Sequence, residues 1–258
     1  MATNRNGLIL WEGPSALDGA PVVVIAVGLQ ARSRNAKTGG MLQTYILRSD
    51  VDPVAAVRGG DDASICGDYP HRGDGFQGRT CYVNVGKGAL VVWRAYRRGS
   101  YGRSGLRGCP TTEQAGRGRM VRLGTYGDPA AAPAAVWQAL VAEAAGWTGY
   151  THQWRRPEAA GLRALCMASA DTADDAREAH AAGWRTFRVT RTADAEPVGR
   201  ETVCPASEEA GRKLTCETCG ACSGANGRRG SIRIAAHGAL ASEQNLDALG
   251  DRLIARAA

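Results

Sequence analysis

No stretch of this sequence is apolar for long enough to cross a membrane. The best candidate, "APVVVIAVG" (Ala20 to Gly28), is nine residues long, whereas a spanning helix needs about 20. The opening "MATNRNGLILWEG" carries no secretory signal, so the expectation is a cytoplasmic protein with no membrane association. Also absent are G-x-x-x-x-G-K-[ST], G-x-S-x-G, H-E-x-x-H and a glycine-rich dinucleotide fingerprint set between a strand and a helix; the literal G-x-G-x-x-G of Gly73 to Gly78 follows no expected strand. Their absence removes P-loop, α/β-hydrolase, zincin and dinucleotide-binding chemistry in their usual forms. No two histidines stand one residue apart, which excludes the replication nickases that need such a pair.

What is present is ordinary globular material: 258 residues, 44% apolar and 22% charged, enough to bury a core without staples. The net charge is +7, and it is concentrated. Arg94 to Arg122 holds eight arginines against the single acid Glu113, a local excess as large as that of the whole chain. An arginine- and glycine-rich segment with Tyr96 and Tyr101 interleaved suits a phosphate backbone and stacked bases. Arg94, Arg97, Arg98, Arg103 and Arg107 are the candidate nucleic-acid contacts, with DNA as the expected partner; the plainer reading is a solvated basic loop.

Residues 1–118 read as an irregular N-terminal part with the basic segment, and 119–258 as a βα-repeat part, together one integrated unit. "PVVVIAVG" and "MLQTYILR" predict buried strands. "VDPVAAVRGG" predicts a short helix with Asp52 as N-cap, Pro53 at its first position and Gly59 as C-cap. From Met120 onward, "MVRLGTYGD", "WTGYTHQW", "LRALCMASAD", "WRTFRVT" and "GSIRIAAHG" predict strands. "PAAAPAAVWQALVAEAAG", "TADDAREAHAAG" and "SEQNLDALGDRLIARA" predict helices. That alternation implies an α/β fold with a parallel sheet and right-handed crossovers, closing as a barrel or partial barrel.

Polar residues fall at the carboxyl ends of these strands, the face that carries active sites in parallel α/β folds. Tyr126 and Asp128 follow the first of them, and Thr151, His152 and Gln153 the second. Ser169 and Asp171 follow the third, Cys204 the extended "GRETV", and His237 the last. Asp128, His152 and Asp171 are the catalytic candidates, although each aspartate also stands where a helix cap is expected.

Eight cysteines in a reducing compartment point to metal rather than disulfides. Four crowd into "CPASEEAGRKLTCETCGAC". Cys216, Cys219 and Cys222, spaced two residues apart, can wrap three corners of a [4Fe-4S] cluster, with Cys204-Pro205 as the remote fourth ligand. Zinc is the alternative, with Cys204 or His237 completing four tetrahedral ligands. A looser second candidate metal set is Cys66, His71 and Cys81.

The segments "SICGDYPHR", "TCYVNVG", "VWRAYRRG", "RLGTYGDPAAAP", "GWTGYTHQW", "GWRTFRV" and the late cysteine run resemble a family of bacteriophage and prophage proteins of the phage "gene product 88" type. The resemblance covers nearly the whole chain. It implies a barrel akin to the radical-SAM fold in the host cytosol, with an early cysteine set and a late cluster followed by a histidine. By that likeness Asp128, His152, Cys204, Cys216, Cys219, Cys222 and His237 occupy motif positions. Two departures stand out. Tyr69 occupies the second cysteine position of the early set, and the C-x3-C-x2-C of true radical-SAM enzymes is absent. The sequence therefore leads to two expectations. One is a metal-cluster enzyme, iron–sulfur or zinc, that modifies a base or nucleotide. The other is a non-catalytic, zinc-stabilised nucleic-acid-binding protein.

Overall fold

Among the residues that the computed structural model describes (6–192, 194–225, 229–236 and 242–257), the strands are β1 (Gly7–Pro14), β2 (Pro21–Val27), β3 (Leu42–Arg48), β4 (Gly102–Arg103), β5 (Met120–Tyr126), β6 (Gly146–Thr148), β7 (Tyr150–Thr151), β8 (Met167–Ala170), β9 (Thr186–Thr190), β10 (Glu201–Val203) and β11 (Ser231–Ala235). The α-helices are α1 (Pro53–Gly59), α2 (Ala63–Cys66), α3 (Leu90–Arg97), α4 (Thr112–Gly116), α5 (Ala134–Val141), α6 (Ala173–Ala181), α7 (Cys216–Cys219) and α8 (Glu243–Ala257). No helix among the described residues is long and apolar enough to cross a membrane.

The strands form two sheets, one ordered β4-β1-β2-β3-β5-β6 and the other β10-β11-β9-β8-β7. The first is mixed: β2 runs antiparallel to its neighbours β1 and β3, while β4, β5 and β6 join in parallel. The second is wholly parallel. The α/β class with parallel pairing from β5 onward matches the sequence expectation. A closed barrel does not form, since among the described residues no pairing joins the outer strands β4 and β10. The order also departs from a simple barrel, because β11 inserts between β9 and β10.

The N-terminal third is more regular than expected. β1 is an eight-residue strand that the sequence left unassigned. Leu8, Ile9 and Leu10 are all buried, and the register shifts between Ile9 and Trp11. That bulge hides the period-2 alternation that would have marked a strand. β2 buries Val22 through Ala26 completely, as an apolar β-branched run should when both faces are covered. The core runs from Leu8 to Trp184 and takes in residues on both sides of position 118. β5 adds directly to β3, so the two parts of the chain share one core. Each fully buried Leu or Ile of this set contributes about 1.5–3 kcal/mol.

Two glycines shape the region where the site forms. Gly124 has φ 68° and sits where β5 bulges against β3, Gln43 pairing with Arg122 and Tyr45 with Tyr126. A Cβ there would meet the Gly127 carbonyl at 2.6 Å. Gly149 divides the expected "WTGYTHQW" strand into β6 and β7, which lie in different sheets. Its N–H donates to the Cys222 carbonyl (3.1 Å) and its carbonyl accepts from Met167 (2.9 Å). A Cβ at Gly149 would lie 2.8 Å from the Cys166 sulfur.

Candidate metal centre and cavity

Both sheets contribute walls to one cavity of about 480 Å³, within the range of small-molecule sites. Arg122 and Tyr126 of β5 and Thr148 of β6 line it from the first sheet, and Tyr150, Phe187 and Ile234 from the second. Asp128, His152, Asp171 and Cys204 follow β5, β7, β8 and β10 in sequence and also line it. The expected gathering of polar residues at strand carboxyl ends is found for these four and for Tyr126 and Ser169, whereas Thr151 and Gln153 do not line the cavity. His237 lies outside the described residues.

One wall carries Cys204, Cys216, Cys219 and Cys222. The last three ride a tight knuckle. Thr215 caps α7 in a reciprocal box with Thr218, and Gly220 closes it in the left-handed conformation. The knuckle is docked at both ends. Cys216 and Glu217 donate their N–H groups to the carbonyls of Lys37 (2.9 Å) and Thr38 (3.2 Å), and the Glu217 carboxylate accepts from Gly40 N–H at 2.7 Å. On the far side, the buried Arg185 guanidinium donates to the carbonyls of Ala221 (2.9 Å), Ser223, Gly224 (3.2 Å) and Gly230 (2.7 Å). Burial pushes the Cys204 thiol up and the Cys222 thiol up to about 12. The other three sulfurs of the set act on Cys222 in the same sense, while a hydrogen bond from Tyr150 opposes it.

Facing this wall is a buried cation that the sequence placed in the nucleic-acid segment. Arg122 is 8% exposed, donates to the Tyr82 hydroxyl at 2.7 Å and lies 5.7 Å from the Tyr150 ring centroid. Burial works against its charge, but Tyr82, Tyr150, Cys216 and Cys222 outweigh burial and hold it firmly protonated. The signal was legible as a charged residue between Val121 and Leu123, both fully buried.

Another part of the lining brings together His71, His152 and Asp171. Asp171 Oδ1 lies 2.9 Å from His71 Nε2 and 3.4 Å from His152 Nε2. Burial alone would raise the Asp171 carboxyl, but His152 and then His71 outweigh it and hold the group far below the carboxylate range. Asp171 is fixed by its own backbone, whose N–H donates to Asp175 Oδ2 at 3.1 Å, an oxygen also committed to the α6 capping box through Thr172. Asp128 stands behind this group. Its Oδ1 accepts from Ala130 N–H (2.9 Å) and its Oδ2 from His152 N–H (2.8 Å). Burial raises its carboxyl against the pull of those donors. Asp128 thus positions His152, while Asp171 faces the imidazoles.

Of the early set, His71 turns to Asp171 and to Thr80 Oγ1 (2.7 Å), whereas Cys81 pairs with the Tyr69 hydroxyl and Cys66 is a half-buried thiol whose pKa is pushed up by desolvation. All three line the cavity. Among the described residues, His71, His152 and Asp171 are the set whose three ligand atoms all lie within 4.8 Å of one another; no three cysteine sulfurs come that close. Two cavity hydroxyls, Tyr126 OH and Thr148 Oγ1, are buried with no hydrogen-bond partner.

Arg94, Arg97, Arg98, Arg103 and Arg107 are exposed and belong to α3 and the β4 edge. Arg97 donates to the Ser49 carbonyl (3.0 Å) and stacks on Trp93, and Arg103 pairs with Glu12 at 2.6 Å. Strands β1, β2 and β3 separate β4 from β5, roughly 19 Å at ordinary strand spacing. Comparison with family models, with curated proteins and with solved structures gives no match to this chain, so its own cavity chemistry has to carry the functional reading.

Proposed function

We propose that this protein is a metal-cluster enzyme of phage type, acting in the cytoplasm, that modifies a base or nucleotide held in the cavity. The observation that carries this reading is that a four-cysteine wall and an imidazole–carboxylate group open onto the same cavity. A structural metal knot has no need of a titratable cluster in the same cavity. The two unpartnered hydroxyls support a bound polar ligand, because a buried hydroxyl left unpaired costs about 1–3 kcal/mol. The aromatic lining of Tyr69, Tyr126, Tyr150 and Phe187 suits a planar base extruded from its stack.

Cys204, Cys216, Cys219 and Cys222 would hold the metal, and the Arg122 guanidinium would offset the charge of their thiolates. Three cysteines in series, Cys216, Cys219 and Cys222, with the remote Cys204-Pro205, favour a [4Fe-4S] cluster, with zinc as the alternative. Such a cluster, with each iron held by a cysteine, would supply an electron when bound. His71, His152 and Asp171 would engage the substrate from their part of the cavity lining, and Asp128 would keep His152 aimed. The two sheets, meeting at Gly149 around the cavity, suit a partial barrel of the radical-SAM-like kind that the motifs resemble.

The second reading, a zinc-stabilised nucleic-acid-binding protein, is favoured by one observation. The exposed arginines lie on a sheet edge far from the cavity. One experiment separates the two readings. DNA and RNA from cells making the wild-type protein or its Asp171→Asn variant would be digested and their nucleosides weighed by mass spectrometry. A nucleoside present only with the wild type supports the enzyme. Identical profiles, with nucleic-acid binding intact, support the binding protein.

A further inference from the structure

We infer that His71, His152 and Asp171 form a mononuclear site for a divalent first-row transition-metal ion, separate from the cysteine wall and independent of the reaction proposed above. Metal–nitrogen and metal–oxygen bonds of about 2.0–2.1 Å place neighbouring ligand atoms about 3.3–3.4 Å apart in a tetrahedron. Octahedral geometry brings the same bonds to about 3.0 Å. The two Asp171 contacts, 2.9 and 3.4 Å, match these edges, and the third edge closes within 4.8 Å.

The support behind the three ligands is also that of a metal site. A ligating imidazole commonly donates its other N–H to a fixed acceptor, which sets the tautomer and aims the ring. His71 Nδ1 meets Thr80 Oγ1 at 2.7 Å, leaving Nε2 directed at Asp171. His152 is held through its backbone by Asp128, and Asp171 by Asp175. Tyr69 packs against both imidazoles, with centroids 5.2 and 4.3 Å away, and shields one side. The other side faces the cavity, where water or a substrate oxygen would complete the coordination.

Two imidazoles and one carboxylate suit zinc, iron(II) or manganese(II). They do not suit calcium or magnesium, which take oxygen ligands, or copper(I), which takes sulfur. The loop that carries His71 is pinned from the opposite end of the chain. Arg252 of α8 donates to the carbonyls of Pro70 (2.8 Å) and Gly78 (2.7 Å). The competing arrangement is a metal-free hydrogen-bonded relay in which Asp171 accepts from both imidazoles.

The test titrates chelator-stripped full-length protein with cobalt(II) under anaerobic conditions. Total bound metal is counted, and the sulfur-to-cobalt charge-transfer band reports the cysteine wall separately. The expected result is one equivalent more in wild type than in Asp171→Asn or His71→Gln, with the sulfur band unchanged. Equal stoichiometry and affinity in wild type and both variants would overturn the site in favour of the relay. Circular dichroism checks that the variants fold. If they do not, Thr80→Val serves instead: the site requires cobalt to bind 10–100-fold more weakly there, and unchanged binding counts against it.

Discussion

Tyr126 and Thr148 give the most local test of the cavity. Each carries a buried hydroxyl without a partner, so Tyr126→Phe and Thr148→Val remove a group that the empty protein does not use. Thermal melting should show these variants at least as stable as wild type, while binding of the cavity's ligand weakens about tenfold for each lost hydrogen bond. A marked loss of stability would mean that the hydroxyls are partnered within the fold. Asp128 is the contrast. Asp128→Ala strands two buried N–H groups, so denaturant unfolding should show a loss of about 1–3 kcal/mol for each group stranded. His152, Asp171 and Cys204 were legible in the sequence because strand ends converge whatever the loops do. His71 was placed with Cys66 and Cys81 by proximity in the chain. Its actual partner is 100 residues away, and spacing alone cannot report a loop folded across a cavity. Asp128 was legible as a cap and as a site residue, and its two oxygens do one job each.

At the scale of elements, the α7 knuckle depends on Arg185, which gathers four carbonyls of the loop that carries Cys222. Replacing it with Met should leave the sheets folded but release metal from the cysteine wall faster, as measured by transfer to a chelator. Retention equal to wild type would show that the knuckle holds itself. A pH effect belongs to the contact between α6 and the second sheet. Burial lowers the His180 pKa, partly opposed by Glu201, and His180 Nε2 meets Thr186 and Ser231. The unfolded chain therefore takes up this proton more readily than the folded one. The contribution of His180 is full above its ordinary value and is lost as pH falls through that value toward the lower folded one. Between pH 7 and 5 the stability of His180→Gln should fall less steeply than that of wild type; parallel curves would remove His180 as a source of the slope. Helix signals were readable because caps are local, as with Asp52. β1 and the break at Gly149 were not readable, because a bulge and a change of sheet are set by neighbours distant in sequence.

Across the whole molecule, charge and chemistry are separated. The arginine run reads in sequence as one basic segment. Folding sends Arg122 into the cavity, ties Arg119 to the carbonyls of Gly28 and Leu29, and leaves Arg94, Arg98 and Arg107 exposed on the far side. Neutralising these three should reduce the slope of log affinity against log salt for DNA by up to about 2.7, at about 0.9 per phosphate contact; an unchanged slope would remove this face as the contact. The parallel α/β architecture was legible from the alternation of strands and helices. The split into two sheets and the insertion of β11 were not, since strand order is decided by which edges remain open. The central claim is that the cysteine wall holds metal beside a reactive cavity. Anaerobic purification of the full chain, followed by metal analysis and an absorption spectrum, tests it directly. The expected result is iron with a broad band near about 400 nm, or zinc in a colourless protein, in either case lost in Cys219→Ser. A wild-type protein that emerges free of metal with its four thiols fully titratable would contradict it.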